Sequence, residues 1–89
     1  MNVKVENMRS SNGNAVPNQM IIQTPEGLFF QSYATVIAHK PLGGKVRLDR
    51  EKWNYSRTTA RYRNEFLGES TKETEAKLAS GEYELADLN

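Results

Sequence analysis

Near residue 50 the spacing of apolar residues changes from every second position to every third or fourth. Strand side chains alternate across a sheet, whereas helix side chains return to one face after about 3.6 residues, so one element type cannot serve both halves. The chain is therefore expected to be α+β: a mostly antiparallel sheet of about four to five strands from residues 1–49, then two short helices over 50–80 packed on one face of the sheet, and a short strand or tail at 81–89. Eighty-nine residues make one domain.

Within the first half, Val3-Lys4-Val5-Glu6 alternates with period two. The following stretch, Arg9 to Asn18, reads as turn chemistry throughout; Asn12-Gly13 tolerates positive φ, and Pro17 cannot join a ladder. Gln19–Thr24 and Leu28–Tyr33 flank the turn Pro25-Glu26-Gly27, predicting a β-hairpin over 19–33, with Phe30 and Tyr33 as packing residues. Thr35–His39 and Lys45–Asp49 supply two further strands around the turn Pro41-Leu42-Gly43-Gly44.

The helices are marked by their ends. Ser56 as N-cap and Gly68 as the residue past the last turn bracket a helix at about 57–67. Thr59, Tyr62 and Phe66 form its apolar stripe, Arg57, Arg61 and Asn64 lie opposite, and Arg63 flanks the stripe. Ser70-Thr71-Lys72-Glu73 is a capping box opening a second helix that Gly81 ends, with Glu73 and Lys77 as an i, i+4 pair. Tyr83-Glu84-Leu85 is a candidate last strand.

The net charge of +1 hides a gradient. Residues 40–63 carry Lys40, Lys45, Arg47, Arg50, Lys52, Arg57, Arg61 and Arg63 against Asp49 and Glu51, a net of +6. Residues 64–89 carry Lys72 and Lys77 against seven acids, a net of −5. Either the two blocks face each other and screen one another, or they form separate surfaces, one of which steers an anionic partner.

Little in the sequence points to covalent chemistry, and no enzyme is expected. His39 is the only histidine and there is no cysteine, which leaves one candidate base; a surface or hairpin position is the better reading for it. Glu65 and Glu69 read as a solvated pair. No ligand spacing suggests a metal, and Gly43-Gly44 reads as a turn rather than a phosphate loop, so no cofactor is expected. The N-terminal residues lack an apolar signal-peptide core, and no apolar run approaches the roughly 18 residues that span a bilayer, so the expected location is the cytoplasm, away from membranes.

Binding is better supported. Four of the eight aromatic residues, Trp53, Tyr55, Tyr62 and Phe66, are interleaved with Arg57, Arg61 and Arg63. Rings and guanidinium groups give contact area and directed interactions at low entropic cost. Lys45 and Arg47 are expected on one side of their strand and Arg57 and Arg61 on one helix face; if those faces adjoin, they make a basic patch. The candidate partner-binding residues are thus Lys45, Arg47, Arg50, Trp53, Tyr55, Arg57, Arg61 and Arg63. Trp53 and Tyr55 would stack on bases or anchor a protein contact, although a lone tryptophan in a chain this short is more often its largest core residue than a stacking platform. An edge strand, either the N-terminal one or one from the hairpin, offers a route to a homodimer.

Several motifs, Ser11-Asn12-Gly13-Asn14, Phe30-Gln31-Ser32-Tyr33, Trp53-Asn54-Tyr55-Ser56-Arg57-Thr58-Thr59 and Tyr62 with Phe66-Leu67-Gly68-Glu69, run through the chain from about residue 10 onward. In these it resembles a small uncharacterised domain family of phages and other bacterial mobile elements. The resemblance implies a stand-alone phage-type protein and carries over no catalytic residues. Such proteins often bind a host protein or nucleoprotein and block it, as inhibitors of CRISPR nucleases do. Direct binding of DNA or RNA through the basic face is the alternative.

Overall fold

The computed structural model describes residues 2–89. Six strands, β1 (Lys4–Arg9), β2 (Ala15–Thr24), β3 (Gly27–Ser32), β4 (Thr35–Pro41), β5 (Arg47–Asp49) and β6 (Glu84–Ala86), form a single sheet in chain order. Two helices, α1 (Arg57–Leu67) and α2 (Thr71–Ser80), lie between β5 and β6. Successive strands from β1 to β5 are antiparallel, whereas β6 runs parallel to β5. That difference follows from the connections: tight turns reverse the chain, while a parallel neighbour needs a crossover of a dozen or more residues, which the helical segment provides. The α+β architecture matches the expectation, with one strand more.

The helix ends form as their residues dictate. Ser56 accepts from the Thr59 amide at 3.1 Å, and Gly68 takes the left-handed conformation past the last turn. Ser70 and Glu73 complete a reciprocal capping box for α2. α1 lies on the sheet with Phe66 stacked on Phe30 and the Thr59 hydroxyl 3.1 Å from that of Ser32. Met8, Phe30, Ile37, Ala38, Leu48, Tyr62, Phe66 and Tyr83 make up the core between them. In β4 an extra residue opposite β3 leaves both Ile37 and Ala38 fully buried.

Three strand-level expectations need correction. β1 continues to Arg9 and β2 begins at Ala15, so the polar segment between them is a short hairpin turn. Pro17 and Asn18 fall inside β2, but where pairing with β1 shifts register, and neither has a Cα partner; proline's missing N–H is tolerated there. Tyr33 leaves β3 for the next turn, with φ 56° and its side chain exposed, so it packs on nothing in the core.

His39 is not a surface residue. It lies in β4 on the row Val5, Ile22, Phe29, His39, Arg47, Glu84, which crosses all six strands. Alternation puts this row on the sheet face away from α1. The imidazole is buried, stacked on Phe29 at 4.0 Å between centroids, and its Nε2–H donates to the Glu26 carbonyl at 2.9 Å.

Candidate binding surface

The turn from Arg50 to Ser56 carries the chain from β5 into α1, and Asp49 organises it. One carboxylate oxygen of Asp49 accepts from the amides of Glu51 and Lys52, the other from the Leu88 amide and the Asn89 side chain. Burial pushes this carboxyl up, but the hydrogen bonds together outweigh it and hold the group below the usual carboxylate range. Asn89 in turn pairs with both the N–H and the C=O of Val36, standing in for a strand neighbour. The start of α1 is thereby anchored to the sheet.

From that anchored start, Arg57 and Arg61 project outward one turn apart. Both are exposed, and no carboxylate among the described residues comes within 4.0 Å of either. The Arg61 guanidinium lies 5.5 Å above the Tyr62 ring. Tyr55 is 47% exposed, with Lys52 Nζ 5.3 Å from its ring centroid. Lys52, Tyr55, Arg57 and Arg61 thus form a cationic ridge carrying one accessible ring, on the turn and the first half of α1.

Arg63 does not belong to this ridge. It is fully buried, and its two terminal nitrogens donate to the Trp53 carbonyl (2.7 Å), Asn54 Oδ1 (2.9 Å), Asn64 Oδ1 (2.9 Å) and Thr71 Oγ1 (2.8 Å). Position 63 falls four residues after Thr59 and three before Phe66, which places it within the buried stripe. The sequence carries that spacing, and the charge alone favours an outward position. Asn64, expected opposite the stripe, is turned toward Arg63 and Thr71. Trp53 is also structural: half-buried, it packs against the core and its ring lies 4.9 Å from the Arg63 guanidinium. One face of its ring is occupied from within.

The remaining basic candidates lie elsewhere. Lys45 precedes β5 rather than lying in it, and shares with the half-buried Arg47 a shallow groove that also includes Glu84. Arg47 is on the row facing away from α1, so it and the Arg57/Arg61 pair lie on opposite sides of the sheet and do not join into one patch. Arg50 pairs with Asp87 at 3.3 Å, both side chains being mostly exposed, which makes the contact weak and salt-sensitive.

That pair is the only link between the basic and acidic blocks among the ion pairs of the described residues. Glu69 is not solvated: its side chain is 4% exposed and accepts from Thr74 Oγ1 (2.6 Å), Lys77 Nζ (2.7 Å) and Tyr83 OH (2.7 Å). Burial raises its pKa, but these bonds and the Lys77 charge prevail and lower it. Burial and the Glu69 carboxylate push the Tyr83 phenol up, and the bond to Glu69 raises Lys77. Lys77 thus takes Glu69, and Glu82 at 4.0 Å, in place of the expected Glu73. Nothing local in the sequence marks Glu69, because its partners come from α2 and the segment after it.

Among the described residues no three carboxylates or imidazoles gather to hold a metal ion, and no helix is long and apolar enough to cross a membrane. Neither the curated proteins nor the solved structures contain a match to the chain. A protein-family model does match it, over residues 3–82 of the 89, and the chain belongs to that family, a family of unknown function designated DUF8033.

Proposed function

We propose that the protein is a non-enzymatic binder that works by occupying the surface of a larger partner through the ridge of Lys52, Tyr55, Arg57 and Arg61. The observation that carries this reading is that Arg57 and Arg61 face outward, with no ion-pair partner among the described residues, on a helix whose third arginine is consumed internally. A short helix does not need exposed arginines for its stability. A hydrogen-bonded turn beneath an arginine pair and an accessible tyrosine is the arrangement in which binding hot spots form. The titratable groups deepest in the fold, His39, Asp49 and Glu69, are each held by structural hydrogen bonds, which speaks against an acid–base role. The resemblance to phage-type proteins makes a host protein or nucleoprotein in the bacterial cytoplasm the proposed partner, with inhibition by occupancy as the effect.

The test is affinity capture from host lysate with wild type and with Arg57→Glu/Arg61→Glu. A specific partner recovered by wild type and lost in the double variant supports the reading. Equal recovery by both rejects the ridge.

The alternative reading is direct DNA or RNA binding, favoured by the exposed Tyr55 ring set among cations that have no ion-paired carboxylate among the described residues. Phosphate contacts make affinity fall steeply between low salt and about 0.2 M. Short labelled DNA and RNA strands measured at both concentrations decide it: absent or salt-insensitive binding excludes this alternative.

A further inference from the structure

Among the described residues β1 has a neighbour on one side only. Along its other edge Lys4, Val5, Glu6 and Asn7 are all exposed, with Val3 and Val5 at 50% and 57%. Neither Lys4 nor Glu6 has an ion-pair partner among the described residues. An edge left uncovered in this way presents unpaired backbone donors and acceptors that can template another strand.

We propose that the edge of β1 pairs antiparallel with β1 of a second copy of this chain, in the register centred on Val5. Charge complementarity selects both the occupant and the register. Centred on Val5, the two-fold ladder sets Lys4 of each copy directly opposite Glu6 of the other, close enough to interact across the strands. It also sets Val5 against its own counterpart and Val3 against Asn7. Centring on Lys4 or on Glu6 places like charges face to face, which is destabilising. Centring on Asn7 places Arg9 opposite Val5 and leaves Lys4 and Glu6 unmatched. A parallel in-register pairing stacks lysine on lysine and glutamate on glutamate.

The two-fold axis of such a ladder stands perpendicular to the sheet, so both helical layers fall on the same side. On the other side the row Val5, Ile22, Phe29 and His39 continues across the seam into its counterpart. The exposed valines are then covered by each other's strands. A single strand-to-strand seam is a small interface, so the dimer is weak and concentration-dependent. It is separate from the ridge on α1 and stands or falls independently of it.

The test is sedimentation equilibrium of the full chain from about 10 μM to about 1 mM. Wild type is expected to shift toward twice the monomer mass across this range. Lys4→Glu and Glu6→Lys alone each set like charges opposite one another and are expected to weaken self-association at least about tenfold. An equimolar mixture of the two single variants, and the double variant Lys4→Glu/Glu6→Lys, restore opposite charges and are expected to regain wild-type association. These side chains are exposed, so circular dichroism melts of all variants should coincide with wild type. A wild type that stays monomeric throughout means that Lys4 and Glu6 guard the edge instead, and overturns the proposal. So does a Lys4→Glu variant that associates as tightly as wild type, or a mixture that fails to associate.

Discussion

Arg63→Ala should be the most damaging exposed-looking substitution in the chain, and its cost can be worked from the contacts. Truncation removes four hydrogen bonds from a charged donor. Their acceptors do not suffer equally. Asn54 is exposed and water replaces the guanidinium there. Thr71 and Asn64 retain the bond between them. The Trp53 carbonyl faces the vacated space, and an unsatisfied buried acceptor costs about 1–3 kcal/mol. To this is added the loss of a large buried side chain packed on the Trp53 ring, about 2–3 kcal/mol at the low end of long-to-alanine truncations. The total of about 3–6 kcal/mol approaches the whole stability expected of so small a domain. At about 4–8 °C per kcal/mol for this length, the melting temperature should fall by at least about 12 °C. Arg63→Met keeps most of the volume and loses only the hydrogen bonds, so it should fall between Arg63→Ala and wild type. Thermal melts followed by circular dichroism and by the fluorescence of the single tryptophan measure both. A melting temperature for Arg63→Ala within about 4 °C of wild type would falsify the assignment of Arg63 as the internal tie between α1, the Trp53 turn and α2.

Three further outcomes are expected. Glu69→Gln removes the buried charge that Thr74, Lys77 and Tyr83 surround and should cost about 1–3 kcal/mol near neutral pH, read by urea denaturation. The pH dependence has a defined sign: Asp49 and Glu69 have folded pKa values below their unfolded ones, so the stability they give is present above about pH 4.5 and is lost as pH falls through the folded values. Acid unfolding of Glu69→Gln should therefore be shallower than that of wild type; identical slopes would contradict the assignment. Gly27→Ala should destabilise by more than about 2 kcal/mol in the same denaturation assay, because φ at Gly27 is +117° and a Cβ there would come 2.2 Å from the Lys40 carbonyl oxygen; a neutral Gly27→Ala would show that the β3–β4 approach is looser than described.

What the sequence made legible was local. Ser56 with Gly68, and Ser70 and Glu73 with Gly81, are cap chemistries confined to a few residues, and both helices fall where they indicate. The hairpin pairing Gln19–Thr24 with Gly27–Ser32 is equally local. What escaped depends on distant partners. The parallel placement of β6 beside β5 requires knowing that α1 and α2 act as a crossover. His39 is buried because Phe29 stacks on it and Glu26 accepts from it, neither of which its own neighbours announce. For the candidate surface, the exposure of Arg57 and Arg61 follows from helix phase, whereas Tyr55 lies in the turn before α1, where no period applies, and Arg63 falls within the buried stripe despite its charge. Trp53 followed Arg63 inward. Lys45 and Arg47 failed to join the α1 arginines because the sheet itself stands between Arg47 and that helix.

The central claim is that the Lys52–Tyr55–Arg57–Arg61 ridge is where a partner docks. It is tested most directly by replacing Tyr55 with a photo-crosslinking amino acid and irradiating host cells that make the protein. The account predicts a discrete adduct from position 55 that disappears when Arg57 and Arg61 are changed to alanine, with the melting temperature held within a few degrees. Adducts that form equally well from a probe at Glu75 on the exposed side of α2, or that survive loss of both arginines, would contradict it.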